Sequence, residues 1–499
     1  MPVPFRPSYH IPVSRVVADE ILYARRSRMT KLHGWNRLCI VLVLSAIPAT
    51  LLKAQTYKVL ASFSGNNGAN PNVGSMLIQG MDGNFYGTAS AGGDPSGDGV
   101  FFRLTASGTI TSLHSFQGTD GRTPTGLLLL LDGNIYGLTQ AGGRFHNCGT
   151  IFQWTPQQSF NSLFNFHGGP DPCSGYADLA LGVNGNAYGV SSAGGASNLG
   201  TIYEAIPNTR VQPLHSFDGS DGRYPWAGLT LATDGNFFGV TPTGGTNNNC
   251  SNSCGTIFKI APGGKFTTIH DFDGTDGSGA YASLIQGLDG DFYGTTAYAG
   301  SREYGSVYKV TVGGRVTPLH NFNGTDGNYP FTSLIQATDG NFYGTTSQGG
   351  PKDAGTIFRI TPQGVFTTLY TFCSEQNCND GADPLSGLLQ STSGLIYGMA
   401  KDSGPGGNDN GVIFTLDLGL GPFAAFVNRF GSVGETIGIL GQGFTGTTSV
   451  QLNGVPADFN VMSDTYLTAT IPSGASTGYV TVTTTSGVLK SNVPFEVIQ

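Results

Sequence analysis

Asp339-Gly340-Asn341-Phe342-Tyr343-Gly344-Thr345 is one copy of a segment that returns seven times, and its recurrence decides the fold. The other copies begin at Asp82, Asp132, Asn184, Asp234, Asp289 and, in degenerate form, Ser393. Successive spacings are 50, 52, 50, 55, 50 and 54 residues. A period of that length is the mark of a repeat architecture. Working outward from Asp339, the copy predicts four strands: A over Thr332–Gln336, B over Asn341–Thr346, C over Gly355–Thr361 and D over Val365–Phe372. Asp-Gly between the first two predicts a two-residue hairpin, because both residues tolerate positive φ. Phe342 and Tyr343 are both apolar and point to opposite faces, as in a strand covered on both sides.

Four antiparallel strands per unit of about 50 residues make a propeller blade. The strand count also predicts closure. Tyr57–Phe63 reads as a D strand that precedes the first A strand, whereas the last copy stops at strand C, Gly411–Asp417. Seven blades balance only if the first strand completes the last blade, which removes the exposed edges. The fold class expected is therefore all-β: a seven-bladed β-propeller over residues 56–418, then a smaller module over 423–499. A parallel β-helix, the rival, has coils far shorter than 50 residues.

Composition agrees. Gly accounts for 77 of 499 residues and charged residues for only 11%, less than half the usual share, while aromatics reach 11%. The net charge is −8; residues 1–54 carry +6 of their own, which leaves −14 for the remainder. A surface that acidic repels nucleic acid and anionic membranes and leaves cations, neutral glycans and proteins as partners.

From Met29 the chain reads as a signal peptide, with Lys31 and Arg37 ahead of the apolar run Leu38–Leu52 and Ala54 at the cleavage position. The run is too short to span a membrane, and a buried helix is the bland alternative. Cys39 lies inside the run, away from any lipoprotein-type cleavage context. The expected location is extracellular or at the cell surface, without membrane insertion of the mature chain. Six cysteines then remain, and an even number in an oxidising compartment reads as disulfides. Cys250 with Cys254 and Cys373 with Cys378 are the local pairs, leaving Cys148 with Cys173.

Beyond residue 419 the repeat stops. Alternating strands and the Asn453-Gly454 hairpin predict a sandwich.

Two resemblances add to this reading. The seven DGNFYGT and GGxxxxGTIF copies over roughly 57–418 resemble the GloVer (Gloeo/Verruco) tandem repeats of exported bacterial choice-of-anchor proteins. That resemblance implies export, often with a C-terminal sorting signal, and no enzyme activity. The last residues, Phe495–Gln499, carry neither the apolar tail nor the basic cluster of such a signal. Gly441, Gly443, Phe444, Asn453-Gly454-Val455, Ala457, Ser463-Asp464-Thr465, Ile471-Pro472 and Gly478 resemble an IPT/TIG domain, an immunoglobulin-like module.

Candidate sites fall on the face that carries the B–C and D–A loops. The D–A loops repeat Asp120, Asp221, Asp276 and Asp326, with Asp171 and Asp380 in longer variants, an acidic ring with the chemistry to bind Ca²⁺. The bland alternative is that Asp-Gly simply makes turns. Departures from the repeat say more. Trp226 starts an A strand beside Arg223 and Tyr224, and the matching positions hold Arg122, Tyr329 and Phe331. Aromatics beside Arg and Asp suit sugar recognition; the alternative is that Trp226 plugs the core. Arg302, Glu303 and Tyr304, and Arg144, Phe145 and His146, form two weaker groups of the same kind. Histidines 114, 215, 270 and 320 share a slot with Tyr370 and Phe164, which reads as a packing position. Glu is confined to Glu204, Glu303 and Glu375 in the repeat region, and no blade holds a catalytic set that stands apart. The expected function is a non-catalytic binding or adhesion protein; the alternatives are a secreted polysaccharide hydrolase or lyase, recognised by Glu303 or Glu375 meeting a ring aspartate in one pocket, and a purely structural surface protein.

Overall fold

A computed structural model describes residues 55–94, 96–206, 210–251, 253–298, 303–402, 404 and 409–498. The signal-peptide reading of residues 1–54, and Arg302, lie outside the described residues. The chain described is all-β, with two single-turn 3₁₀ segments at Gln376–Cys378 and Phe444–Gly446.

Seven four-stranded antiparallel sheets follow one another from residue 56 to 417. Sheets I to VI span 77–115, 122–165, 180–216, 230–271, 285–321 and 335–371, each in the order A–B–C–D. Sheet VI is representative: Ile335–Gln336, Phe342–Thr346, Thr356–Ile360 and Phe366–Thr371. Sheet VII takes Leu389–Gln390, Ile396–Ala400 and Val412–Asp417 from the end of the repeat region and Thr56–Ser62 from its start. Thr56 pairs with Asp417 and Ser62 with Val412, so the first strand fills the place of the missing fourth.

Local chemistry explains each unit. Phe342 and Tyr343 are both fully buried, one on each face of strand B. Gly344 beside them is required by close approach: a Cβ there would come within 2.7 Å of Phe358 Cζ and of Leu334 Cδ2. The A–B turn departs from expectation. Only Gly340 takes positive φ (81°), while Asp339 does not. Its carboxylate instead accepts the Asn341 N–H at 3.1 Å, and Gly340 N–H closes on the Ala337 carbonyl at 2.8 Å. This is a type I turn ending in a left-handed glycine, with the aspartate at its third position bonding the N–H two residues on. A bulge recurs in strand D, where the Phe358–Thr368 pair is followed by Ile357–Tyr370 and Leu369 is the extra residue.

Packing between sheets runs through shared apolar clusters. Phe101 and Phe116 of sheet I meet Ile135 and Phe152 of sheet II. The same pattern joins II to III, III to IV, IV to V, V to VI and VI to VII. Sheet VII packs on sheet I as well, with Tyr397, Met399 and Ile413 against Leu77, Phe85 and Phe102. A hydrogen-bond relay repeats the connection. Gln286, Gln336 and Gln390 each accept a backbone N–H from the preceding sheet's A–B turn, at Thr233, Leu288 and Thr338. Gln79 of sheet I does the same to Thr392 of sheet VII at 2.9 Å.

Residues 423–498 form two further four-stranded sheets around one core that includes Ile437, Ile439, Phe444, Val450, Leu467 and Val482. Here the expected hairpin forms: Asn453 and Gly454 both take positive φ (46° and 84°) between the paired Leu452 and Val455. This module sits against the A–B turns. Thr465 Oγ1 donates to the Met81 carbonyl (2.9 Å), Gln442 Nε2 to Thr392 Oγ1 (2.9 Å) and Arg429 Nη2 to the Leu231 carbonyl (2.6 Å). The disulfides pair Cys148 with Cys173, Cys250 with Cys254 and Cys373 with Cys378. Among the described residues no helix is long and apolar enough to cross a membrane.

Candidate binding site

Each sheet is entered by a short lead-in that leaves the D–A turn and passes inward to strand A. Those of sheets I and III to VII line a cavity of about 310 Å³. Five residues in the lead-ins or the adjoining turns, Asn70, Thr123, Tyr224, Tyr329 and Asp383, hold φ between 49° and 54°, and each precedes a proline. Left-handed backbone at such residues is strained and persists only where neighbours hold it. A hydrogen bond to the preceding sheet supplies the hold: Tyr224 N–H to the Leu199 carbonyl at 2.7 Å, Tyr329 to Tyr304 at 3.2 Å and Asp383 to Ala354 at 3.0 Å. The B–C loops do lie on this face, since Arg223 bridges Thr243, Ser278 bridges Tyr298 and Asn328 bridges Gln348.

Aromatic residues of the lead-ins line the cavity mouth. Tyr176, Trp226, Tyr281 and Phe331, from sheets III to VI, form a continuous arc. Tyr176 stacks on Trp226 with ring centres 4.5 Å apart. Trp226 meets Tyr281 edge-on at 5.4 Å, and Tyr281 meets Phe331 at 5.4 Å. A second row, Tyr298 and Tyr329, continues the arc outward, with Tyr329 stacked on Phe331 at 5.9 Å and Tyr298 on the edge of Tyr329 at 5.6 Å. Trp226 is only half-buried. It neither plugs the core nor stands alone.

Among the described residues the lining includes one acidic residue, Asp178. At the corresponding place other sheets carry Gly228, Ser283, Ser333 and Gly387. Ser283 Oγ there accepts the Gly228 N–H (2.8 Å), and Ser333 Oγ accepts the Ser283 N–H (3.0 Å). Asp178 lies over Gly126, where a Cβ would fall 2.4 Å from its Oδ1. Burial pushes its carboxyl up to about 7, against a smaller opposing pull from the Leu127 N–H. Among the described residues no Lys, Arg or His lines the cavity. The sequence reading missed Asp178; the signal was a carboxylate in a register of glycines and serines.

Of the residues singled out from sequence, Trp226, Tyr329 and Phe331 come together in the arc. Tyr224 is 40% exposed at its rim, with the Arg223 guanidinium 5.8 Å from its ring. Arg122 belongs elsewhere: it is exposed and faces Asp98 at 3.5 Å. The aspartates of the D–A loops do not converge. His114, His215, His270 and His320 contact the Oδ2 of Asp120, Asp221, Asp276 and Asp326 at 2.8, 2.7, 2.7 and 3.1 Å. The second oxygen of each accepts an N–H of its own turn, from Gln117, Asp218, Asp273 and Asn323. Among the described residues no group of three or more His, Cys, Asp or Glu is arranged to hold a metal ion.

The histidine slot is therefore more than packing. His114, His215 and His320 stack on Phe160, Phe266 and Phe366 of the next sheet at 3.5–3.8 Å while they latch the turn aspartate. Tyr370 keeps both roles, stacking on Tyr57 and donating to Asp380 at 2.6 Å. Phe164 can only pack, and its turn is held by the Cys148–Cys173 disulfide. Glu303 and Glu375 are exposed and absent from the cavity wall. In the Arg144–His146 loop Phe145 stacks on His167 at 4.2 Å, away from the arc.

Solved structures with an overall likeness include the luciferin-regenerating enzyme (13% identity, TM-score 0.40, covering 60% of this chain and 93% of that one). The extracellular domain of a protein described as a hybrid two-component system from B. thetaiotaomicron has 12% identity and a TM-score of 0.48, covering 89% and 55%. The PQQ-bound aldose sugar dehydrogenase from Streptomyces coelicolor has 11% identity and a TM-score of 0.39, covering 73% and 99%. At these scores none carries an argument for this chain. No curated protein matches it. The family model of the Gloeobacter/Verrucomicrobia repeat matches residues 49–251 and 214–414. The seven-sheet region and its recurring turns are thus the body of that family, and this chain belongs to the Gloeobacter/Verrucomicrobia repeat family.

Proposed function

We propose that this is an exported, non-catalytic binding protein that takes glycan at the aromatic mouth of its central cavity. In this reading the seven sheets are the blades of a closed propeller, supported by the Gln79–Thr392 contact that repeats the relay between neighbouring blades. The module over 423–498 is an immunoglobulin-like spacer of the IPT/TIG type. Three disulfides and the leader-like N-terminus support an oxidising, extracellular setting.

The observation that carries the reading is the arc of Tyr176, Trp226, Tyr281 and Phe331. Aromatic faces stack on the apolar patches of sugar rings, and the arc presents four in succession at a half-open mouth. Hydrolysis has less support: a glycosidase uses two carboxylates about 5–10 Å apart, and Asp178 stands alone in the lining. The test is a polysaccharide array probed with residues 55–499, with and without Ca²⁺, reading both retention and released sugar. Retention without product is expected. Released sugar would contradict the non-catalytic reading, and silence on every glycan would contradict the glycan reading.

A further inference from the structure

From the chemistry of the cavity we infer that its ligand carries a positive charge: the site takes a glycan with free ammonium groups, such as a deacetylated amino sugar, with Asp178 as the counter-ion. The inference rests on the glycan reading for the way in, and goes beyond it in assigning the ligand's charge and the residue that reads it.

Three observations converge. First, among the described residues the walls hold aromatic rings and one acidic residue, with no cationic residue beside it. A carboxylate among aromatic faces is the combination that recognises an organic cation, which gains from the ring quadrupole and from the counter-charge. Second, Asp178 accepts the Leu127 N–H of the neighbouring lead-in with a carboxyl where other sheets use a hydroxyl or nothing. Ser283 and Ser333 hold the neighbouring lead-in there with a hydroxyl, and Gly228 and Gly387 do without. A carboxyl adds a second oxygen and a charge that must be desolvated, a cost that a bound cation offsets. Third, the carboxyl is closely packed: a Cβ on Gly126 would fall 2.4 Å from its Oδ1 as well as 2.5 Å from the Asp178 Cα. Burial also raises the carboxyl towards neutrality, so an incoming cation would draw it into the charged form.

The groups that face Asp178 around the cavity are the phenols Tyr176 and Tyr281, with serines and apolar side chains besides. Neither phenol titrates below pH 8: burial raises both above their ordinary value. The pH dependence of cation binding between about pH 5 and about pH 8 is therefore that of Asp178.

The experiment is calorimetric titration of residues 55–499 with three probes: the glucosamine tetramer, its fully N-acetylated counterpart, and tetramethylammonium, whose charge does not vary with pH. Wild type is expected to bind the amine tetramer at least tenfold more tightly than the acetylated one. Asp178→Asn, and Asp178→Ser, which copies the neighbouring sheets, are expected to abolish that preference. Tetramethylammonium binding is expected to strengthen from about pH 5 to about pH 8 in wild type and to stay flat in either variant. Equal affinity of wild type for both tetramers, or a preference that survives in both variants, would overturn the inference and leave the glycan reading standing. Asp178-dependent binding of tetramethylammonium with neither tetramer bound would uphold the cation site and overturn the glycan reading. Absence of binding by both cationic probes would overturn the inference.

Discussion

The two ends of the first strands make an instructive contrast. At one end, the A–B turns are near-copies of one another. Asn84, Asn134 and Asn341 each donate to the aspartate two residues before, at 2.7, 2.6 and 2.7 Å, so the carboxylates are consumed by their own turns. The C-terminal module lies against this end, with Val427–Phe430 beside Gln286, Gln336 and Gln390. At the other end the lead-ins diverge, from Val73 to Tyr176, Trp226, Tyr281, Phe331 and Leu385. Repetition marks what the fold needs in every sheet. The departures gather at one mouth, and there the unmatched carboxyl is found.

Substitutions at the two ends should separate the two roles. The largest effect is expected at the open mouth. Trp226→Ala removes the ring that stacks on Tyr176, and a central aromatic of this kind is worth about 2 kcal/mol, or about thirtyfold in affinity. Glycan retention should fall by that factor with little change in the unfolding midpoint; unchanged retention would break the contrast.

Thr392→Val addresses the covered end. Thr392 Oγ1 accepts from both Gln79 and Gln442 Nε2 and is buried, so the change strands two donors. A loss of about 1–3 kcal/mol is expected in denaturant unfolding, with glycan retention unaltered. Loss of retention instead would show that the two ends are coupled.

The smallest effect concerns the latches. Burial holds the His320 imidazole below its ordinary range despite Asp326. The unfolded chain then takes up this proton first, so stability is full above about pH 6.5 and declines as the pH falls below it. His320→Tyr, which copies Tyr370 with Asp380, should remove that decline, under about 1 kcal/mol between pH 6.5 and 5. An unchanged pH slope in the unfolding midpoint would contradict the latch.

The sheets were legible in sequence because the period, the turn residues and the two-sided apolar strands all agree with one architecture. The unpaired first strand could be placed by counting alone. Turn geometry was less legible, since Asp-Gly suits a two-residue hairpin and a capped type I turn alike, and the aspartate side chain decides between them. The candidate site was half legible. Trp226, Tyr329 and Phe331 stand out from their repeats, but Tyr176 and Tyr281 lack the preceding proline that aligns the others. Asp178 hides because a single carboxylate in a loop-like segment looks like a turn residue until the lead-ins are brought around one cavity. The repeated Asp120, Asp221, Asp276 and Asp326 read alike as turn residues or cation ligands, and only the structure shows each bonded to a histidine six residues earlier.

The central claim is that ligand enters at Trp226. Of the three tryptophans, Trp154 and Trp226 lie among the described residues. In residues 55–499 carrying Trp154→Phe, emission would report from Trp226 alone. Titration with the glycan that the array retains should change that emission saturably, with a midpoint equal to the binding affinity. Unaltered emission at saturating ligand would contradict the account and place the site elsewhere.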